Sequence, residues 1–186
     1  MAARSSDMAL RAVADFETDR LTARHWGPPG KGPERERLER DLERLLAPAV
    51  LSGLPPSLDP HPHGIPAWIT ARAAEADILL LHLRESDDAV GFLILAPGGG
   101  ISRTLHLGYV IGRDHWGRGY AGEAVLGLVD ALEPLFPIEL RAGVAASNRA
   151  SIRVLEKAGF RPLERVPTDG GACQFALRLP DPGPRL

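Results

Sequence analysis

One segment near the middle of the chain carries the densest chemistry: Gly112-Arg-Asp-His-Trp-Gly-Arg-Gly-Tyr-Ala-Gly-Glu-Ala124. A strand-like run, Leu105-His-Leu-Gly-Tyr-Val-Ile111, precedes it, and a helix-like run with Val125, Leu128, Val129 and Leu132 follows. Glycines at 117, 119 and 122 let the backbone approach a ligand closely and adopt conformations that other residues resist. The segment ends where a helix begins. The first N–H groups of a helix lack partners and sit at the positive end of its dipole. A glycine turn leading into a helix start is therefore a cradle for a phosphate. Arg118 and Arg113 would add charge to a pyrophosphate or a further phosphate. The bland alternative is a glycine-rich turn that holds nothing, and the coincidence of glycines, arginines and a helix start weighs against it.

Taken literally, Gly117-Arg-Gly-Tyr-Ala-Gly122 also matches G-x-G-x-x-G, a weak signal by itself. In a dinucleotide-binding domain that fingerprint follows its strand almost at once, and here Gly112 to Trp116 intervene. Too few residues follow Gly122 to build the remaining strands. A nucleotide-dependent oxidoreductase is disfavoured on both counts.

The elements that must position this segment follow from periodicity. Residues 1–15 read as a loose tail, and Phe16 to Arg24 as a first strand. Gly27-Pro-Pro-Gly-Lys-Gly-Pro33 breaks structure. Leu38, Leu42, Leu45 and Leu46 recur at helical spacing among Glu and Arg, which predicts an amphipathic helix. Residues 51–66 hold five prolines and read as a long irregular connection of the kind that often carries function. Trp68 to Glu75 reads as a short helix. Strands are predicted at 78–83, 89–95, 105–111 and 138–144, with helices at 122–136 and 148–158. Gly159 stands in the usual C-terminal glycine position. Closing strands are predicted at 160–166 and 172–179, and Pro180 to Pro184 as a polar tail. This is a mixed α/β layout around one central sheet, in a single domain over 16–180 with tails at 1–15 and 181–186.

Composition excludes several classes. The 186 residues suit one domain, and the 44% hydrophobic content supplies one sizeable core. A net charge of -2 offers no concentrated basic face for nucleic acid. No stretch reaches the roughly 18 apolar residues of a membrane-spanning helix, and the N-terminus lacks an apolar signal core. The single cysteine, Cys173, forms no intramolecular disulfide and lies in an alternating strand-like run, so packing is its expected role. A cytoplasmic, soluble protein without a membrane or nucleic-acid partner is expected. His61 and His63 form an i,i+2 pair without supporting ligands, so no metal is expected.

Trp116-Gly-Arg-Gly-Tyr-Ala-Gly-Glu-Ala124 closely resembles the acetyl-CoA loop of the GNAT acetyltransferase superfamily, whose pattern is Q/R-x-x-G-x-G/A. Gly119 and Ala121 fill its last two fixed positions, and Trp116 stands where Gln or Arg is usual. That departure resembles the branch that acetylates N-terminal residues of ribosomal proteins. Thr18-Asp-Arg-Leu-Thr-Ala-Arg24, Leu107-Gly-Tyr-Val-Ile111 and Asn148-Arg-Ala-Ser-Ile-Arg-Val-Leu-Glu-Lys-Ala-Gly-Phe160 resemble further segments of it. The resemblance is strong over 89–166 and weaker over 16–88.

The resemblance implies a central sheet splayed at the acetyl-CoA strand and flanked by helices. It implies acetyl-CoA as cosubstrate and direct transfer to a primary amine, on a protein N-terminus, a peptide or a small molecule. Backbone groups of Tyr109, Val110 and Ile111 would pair with the pantetheine arm. Backbone N–H groups of Arg118, Gly119, Tyr120, Ala121 and Gly122 would hold the pyrophosphate, with Trp116 and Gly117 completing the cofactor-binding loop and His115 bordering the phosphates. Asn148 would bond the arm, a role compatible with capping a helix. Ser151, one helical turn along the same face, would protonate the departing thiolate. Relatives often carry a glutamate two residues before the Gly-Tyr pair. Here that position is His106, whose ordinary pKa suits a general base near neutral pH. Relatives are often dimers, so a homodimer is one implied option. A non-catalytic acyl-CoA-binding module is the alternative reading.

Overall fold

A computed structural model describes residues 13–26, 30–61, 63–98, 103–133, 137–163 and 171–179. The elements are β1 (Phe16–Glu17), β2 (Leu21–His25), α1 (Pro33–Leu45), α2 (Pro48–Leu51), α3 (Ile65–Glu75), β3 (Asp77–Leu83), β4 (Ala89–Pro97), β5 (Thr104–Ile111), α4 (Tyr120–Leu132), β6 (Ile138–Ala145), α5 (Arg149–Lys157), β7 (Arg161–Pro162) and β8 (Ala172–Leu179). They build one mixed sheet in the order β1-β2-β3-β4-β5-β6-β8-β7. Every neighbouring pair is antiparallel except β5 and β6, which run parallel.

Helices cover both faces of the sheet, which explains the unbroken apolar runs of β3 and β4. On one face, Leu38, Leu42 and Leu45 of α1 and Trp68 and Ile69 of α3 pack against Ile78, Leu80, Phe92, Ile94 and Val110. On the other, Val125, Leu128 and Leu132 of α4 and Leu155 of α5 pack against Leu79, Leu81, Leu93, Leu95, Leu105, Leu107 and Leu140. Each fully buried leucine of these layers is worth about 1.5–3 kcal/mol. Pro33 opens α1, with Glu34 and Glu36 in its first turn and Arg44 in its last, matching the helix dipole.

Five sequence expectations change. The single strand expected over 16–24 is broken into β1 and β2. Thr18 N–H donates to the Leu21 carbonyl, and Leu21 N–H donates to the Thr18 hydroxyl, so the chain reverses within a tight turn. The helix expected from Trp68 starts at Ile65, because Pro66 suits a first turn. The proline-rich connection is also partly helical, with α2 and a single 3-10 turn at Pro56–Leu58. Within the expected N-terminal tail, Val13 is buried and the Asp15 carboxylate accepts the His25 backbone N–H. The strand expected over 160–166 is paired at Arg161–Pro162, and 164–170 lie outside the described residues. So do residues 1–12, 134–136 and 180–186 of the expected tails and helix end.

Candidate active site

The parallel pair is the origin of the site. β5 and β6 are in register only at Thr104↔Glu139, Leu105↔Leu140 and His106↔Arg141. Beyond His106, β5 continues to Ile111 on β4 while β6 continues to Ala145 on β8. The two strands therefore diverge, and a gap opens between them.

Backbone parity settles which groups face the gap. Gly112 N–H donates to Val90 and Gly98 N–H donates to Thr104, at opposite ends of the β4–β5 ladder. Both bonds assign the even-numbered residues of β5 to β4, because the two edges of a strand alternate. The C=O of Leu107 and the N–H and C=O groups of Tyr109 and Ile111 thus point into the gap, while the Leu107 N–H completes the last rung of the parallel ladder on the Arg141 carbonyl. The backbone groups of Val110 pair with β4 in register with Phe92. Of the three backbone partners expected from sequence, Tyr109 and Ile111 face the gap, and Val110 does not. The Leu107 carbonyl joins them. The Ile111 carbonyl already accepts the indole N–H of Trp116 at 2.7 Å. Trp116 is thereby fixed at the mouth of the gap, half exposed.

The glycine turn meets the same end. Gly117 and Gly119 adopt φ of 74° and 83°, in the left-handed region. Gly119 is the N-cap of α4, and the first helical bond is Glu123 N–H to its carbonyl. The N–H groups of Tyr120, Ala121 and Gly122 consequently have no intrahelical acceptor. Arg113 and Arg118 are exposed around them. His115 packs 6.3 Å from the Tyr120 ring. Burial, with Arg44 and Arg118 nearby, pushes its pKa down, so its imidazole stays neutral beside the turn.

A contact that sequence reasoning missed braces this turn. The Glu123 carboxylate accepts the Thr18 hydroxyl at 2.6 Å and the Arg20 backbone N–H at 2.8 Å. Its other oxygen lies 2.7 Å from Arg20 Nε and 2.6 Å from Nη2. Arg20 Nη1 donates to the Arg118 carbonyl at 3.1 Å, and its guanidinium stacks 4.7 Å from the Tyr120 ring centroid. Burial alone would raise the Glu123 pKa, but the Thr18 and Arg20 hydrogen bonds outweigh it and hold the carboxyl below its ordinary value. The linkage has a definite sign. A depressed folded pKa gives stability that is complete above the unfolded pKa, near 4.5, and is lost as pH falls through the folded value. Urea midpoints should therefore fall as pH drops from about 5 to 3, and Glu123→Gln should flatten that slope; equal slopes would remove Glu123 from the account.

On the far wall, Asn148 caps α5, and its side-chain oxygen accepts the Ser151 N–H at 3.0 Å. The Tyr109 hydroxyl donates to the Ser151 carbonyl at 3.2 Å. Burial raises the Tyr109 pKa against the opposing hydrogen bond to Ser151, so the phenol remains a neutral donor. This bond places the first turn of α5 beside the open edge of β5. His106 lies elsewhere. It is exposed, at the vertex where the gap begins, on the face shared with Val110 and opposite to Tyr109. The fold thus brings Tyr109, Asn148 and Ser151 together on one face, and Ile111, Trp116 and the glycine turn at the gap mouth.

Other candidates lie apart. His61 bonds Asp59 at 3.0 Å in an exposed turn, and among the described residues no cluster of three or more His, Cys, Asp or Glu could hold a metal. Cys173 is half-buried on β8 against the core. Among the described residues, no helix is long and apolar enough to cross a membrane.

Comparisons bear on this geometry. The family model for the acetyltransferase (GNAT) domain matches residues 7–161. The chain is 31% identical over 91 residues to the uncharacterized N-acetyltransferase p20 of Bacillus licheniformis, covering 47% of this chain and 49% of that protein. The chain thus spans about half the length of this curated relative. Among solved structures, it resembles a ribosomal-protein-S5-alanine acetyltransferase from Vibrio fischeri with a TM-score of 0.68 and 15% identity, over 89% and 96% of the two chains. It also resembles RimL, a ribosomal L7/L12 alpha-N-protein acetyltransferase in complex with coenzyme A, with a TM-score of 0.69 and 13% identity over 90% and 99%. These likenesses concern the fold.

Proposed function

The chain belongs to the GNAT acetyltransferase domain family, and from that premise we propose that it transfers an acetyl group from acetyl-CoA directly to a primary amine. The observation that carries this reading is the gap between β5 and β6, with its open backbone edge running from the Leu107 carbonyl through Tyr109 to the unpaired N–H groups of α4. That combination suits a ligand with a long amide-bearing arm and a pyrophosphate. The arm pairs with the strand edge, and the phosphates take the helix start.

When bound, acetyl-CoA supplies the acetyl group as a thioester. His106 takes the proton that an incoming ammonium must lose before its nitrogen can attack. An N–H on the open edge of β5 donates to the carbonyl oxygen as negative charge develops there. The carbon–nitrogen bond forms and the carbon–sulfur bond breaks; Ser151 gives its hydroxyl proton to the leaving sulfur and regains one from the attacking nitrogen, which sheds its second proton as it becomes the amide. Base and acid stand on opposite faces of β5, so the first ammonium proton leaves through exposed His106 to solvent on one face and the thiol proton is supplied through Ser151 on the other. His106→Ala should lower kcat about a hundredfold, within the range general-base loss produces, while acetyl-CoA affinity changes little. Unchanged turnover would sink the assignment.

The acceptor is the N-terminal amine of a protein or peptide, or a small-molecule amine, and the setting is the cytoplasm. A homodimer fits the resemblance. Calorimetric titration with acetyl-CoA, followed by thiol release over a panel of peptides and amines, tests the whole reading. Saturable binding with thiol release for one acceptor class supports it. Binding without release for any amine would favour a non-catalytic acyl-CoA-binding module, and absence of binding would overturn both.

A further inference from the structure

Arg20 belongs to none of the segments that face the gap, yet it touches the one peptide that orients the glycine turn. A peptide unit is planar and trans, so its C=O and the following N–H point in opposite directions. Arg20 Nη1 holds the Arg118 carbonyl at 3.1 Å. The Gly119 N–H is thereby turned away from Arg20, on the side opposite the guanidinium. Gly119, like Gly117, lies in the left-handed region, where the adjoining peptide planes are otherwise free to reorient. Arg20 in turn is held in place by Glu123. Its Nε and Nη2 lie on one Glu123 oxygen, its own backbone N–H on the other, and Thr18 donates to that second oxygen. The brace therefore links the β1–β2 turn, the peptide before α4 and the first turn of α4 itself.

We propose that Arg20 is a positioning residue for the acyl donor. It fixes the 118–119 peptide so that the Gly119 N–H joins those of Tyr120, Ala121 and Gly122 in one phosphate-binding set before any ligand arrives. The inference rests on the donor reading above. Its physical content is preorganisation. Without the brace, the turn samples other conformations, and binding must then restore the right one at an entropic cost.

The test separates the phosphate end of the donor from its reacting end. Acetyl-pantetheine carries the thioester and the arm but no phosphates. Arg20→Ala should raise KM for acetyl-CoA about tenfold with kcat close to wild type, while KM for acetyl-pantetheine stays unchanged. Backbone amide exchange at 118–122 in the ligand-free protein should speed up. Arg20→Lys keeps the charge but loses the planar fork that reaches a carboxylate and a carbonyl together, so it should behave like Arg20→Ala. It also serves if the alanine variant does not fold. Full acetyl-CoA affinity in Arg20→Lys would assign the role to charge alone and overturn the proposal. Equal losses for both donors, or no loss for either, would overturn it as well. If the wild-type protein binds neither donor, the donor reading itself fails, which is a separate result.

Discussion

Gly119→Val should weaken acetyl-CoA binding between about fivefold and 150-fold and leave the chain folded. Gly119 sits at φ 83° and ψ 0° at the N-cap of α4. A β-branched residue held there stores about 1–3 kcal/mol of strain. The new side chain would also start 3.5 Å from Arg20 Nη2, and its branches would press on the guanidinium. The turn escapes both by leaving its conformation, because the residues before it, Trp116 to Arg118, are exposed. Binding must then restore the strained form, so the strain appears as lost affinity. Calorimetry with acetyl-CoA reads the loss, and circular dichroism checks the fold. Wild-type affinity in the variant would show that the left-handed turn takes no part in holding the donor.

Gly91→Ala should be the more damaging change, although it adds a single methyl group. A Cβ at position 91 would lie 2.2 Å from the Val110 carbonyl oxygen, 2.9 Å from Ile111 Cδ1 and 3.2 Å from Ile111 Cα. Two of these contacts are backbone, which no rotamer change relieves. β5 would have to move away from β4 and into the gap. Overpacking of this kind costs about 3 kcal/mol. In a chain of this size that lowers Tm by roughly 6–12 °C. Thermal melting measures the shift, and a melting temperature within a degree of wild type would mean that β4 and β5 separate freely. Acetyl-CoA binding should fall too, since the displaced strand is one wall of the gap.

What the sequence made legible follows the range of its signals. β5, α4 and α5 were readable because alternation, helical spacing and capping residues are local. Asn148 is an N-cap as its type suggests, and Gly159 follows α5 at φ 89°. The break between β1 and β2 was not readable, since nothing in Phe16 to Arg24 interrupts alternation as Gly or Pro would; the Thr18 hydroxyl does it through hydrogen bonds. The edge assignment of Val110 was out of reach for another reason. Which edge of a strand a residue offers depends on ladder register, and register is set by the partner strand. The partnership of Arg20 with Glu123 spans 103 positions. A lone acidic residue in the first turn of α4 reads as dipole complementation, and only the fold shows the cation that meets it.

The three-rung contact between β5 and β6 has a consequence for how the molecule comes apart. Left of the divergence, β1 to β5 form a continuous antiparallel leaf; right of it, β6, β8 and β7 form another. Few main-chain bonds stitch the leaves, so much of the cohesion between them falls to the helices lying across the seam. Such a seam is where a domain opens at less than its global unfolding free energy. Anything extended that lies in the divergence and bonds to the edge of β5 acts as a provisional strand, closing the sheet for as long as it stays. A ligand that also reached the edge of β6 would be both cargo and mortar: the leaves would be fastened while it is held and loosened as it leaves.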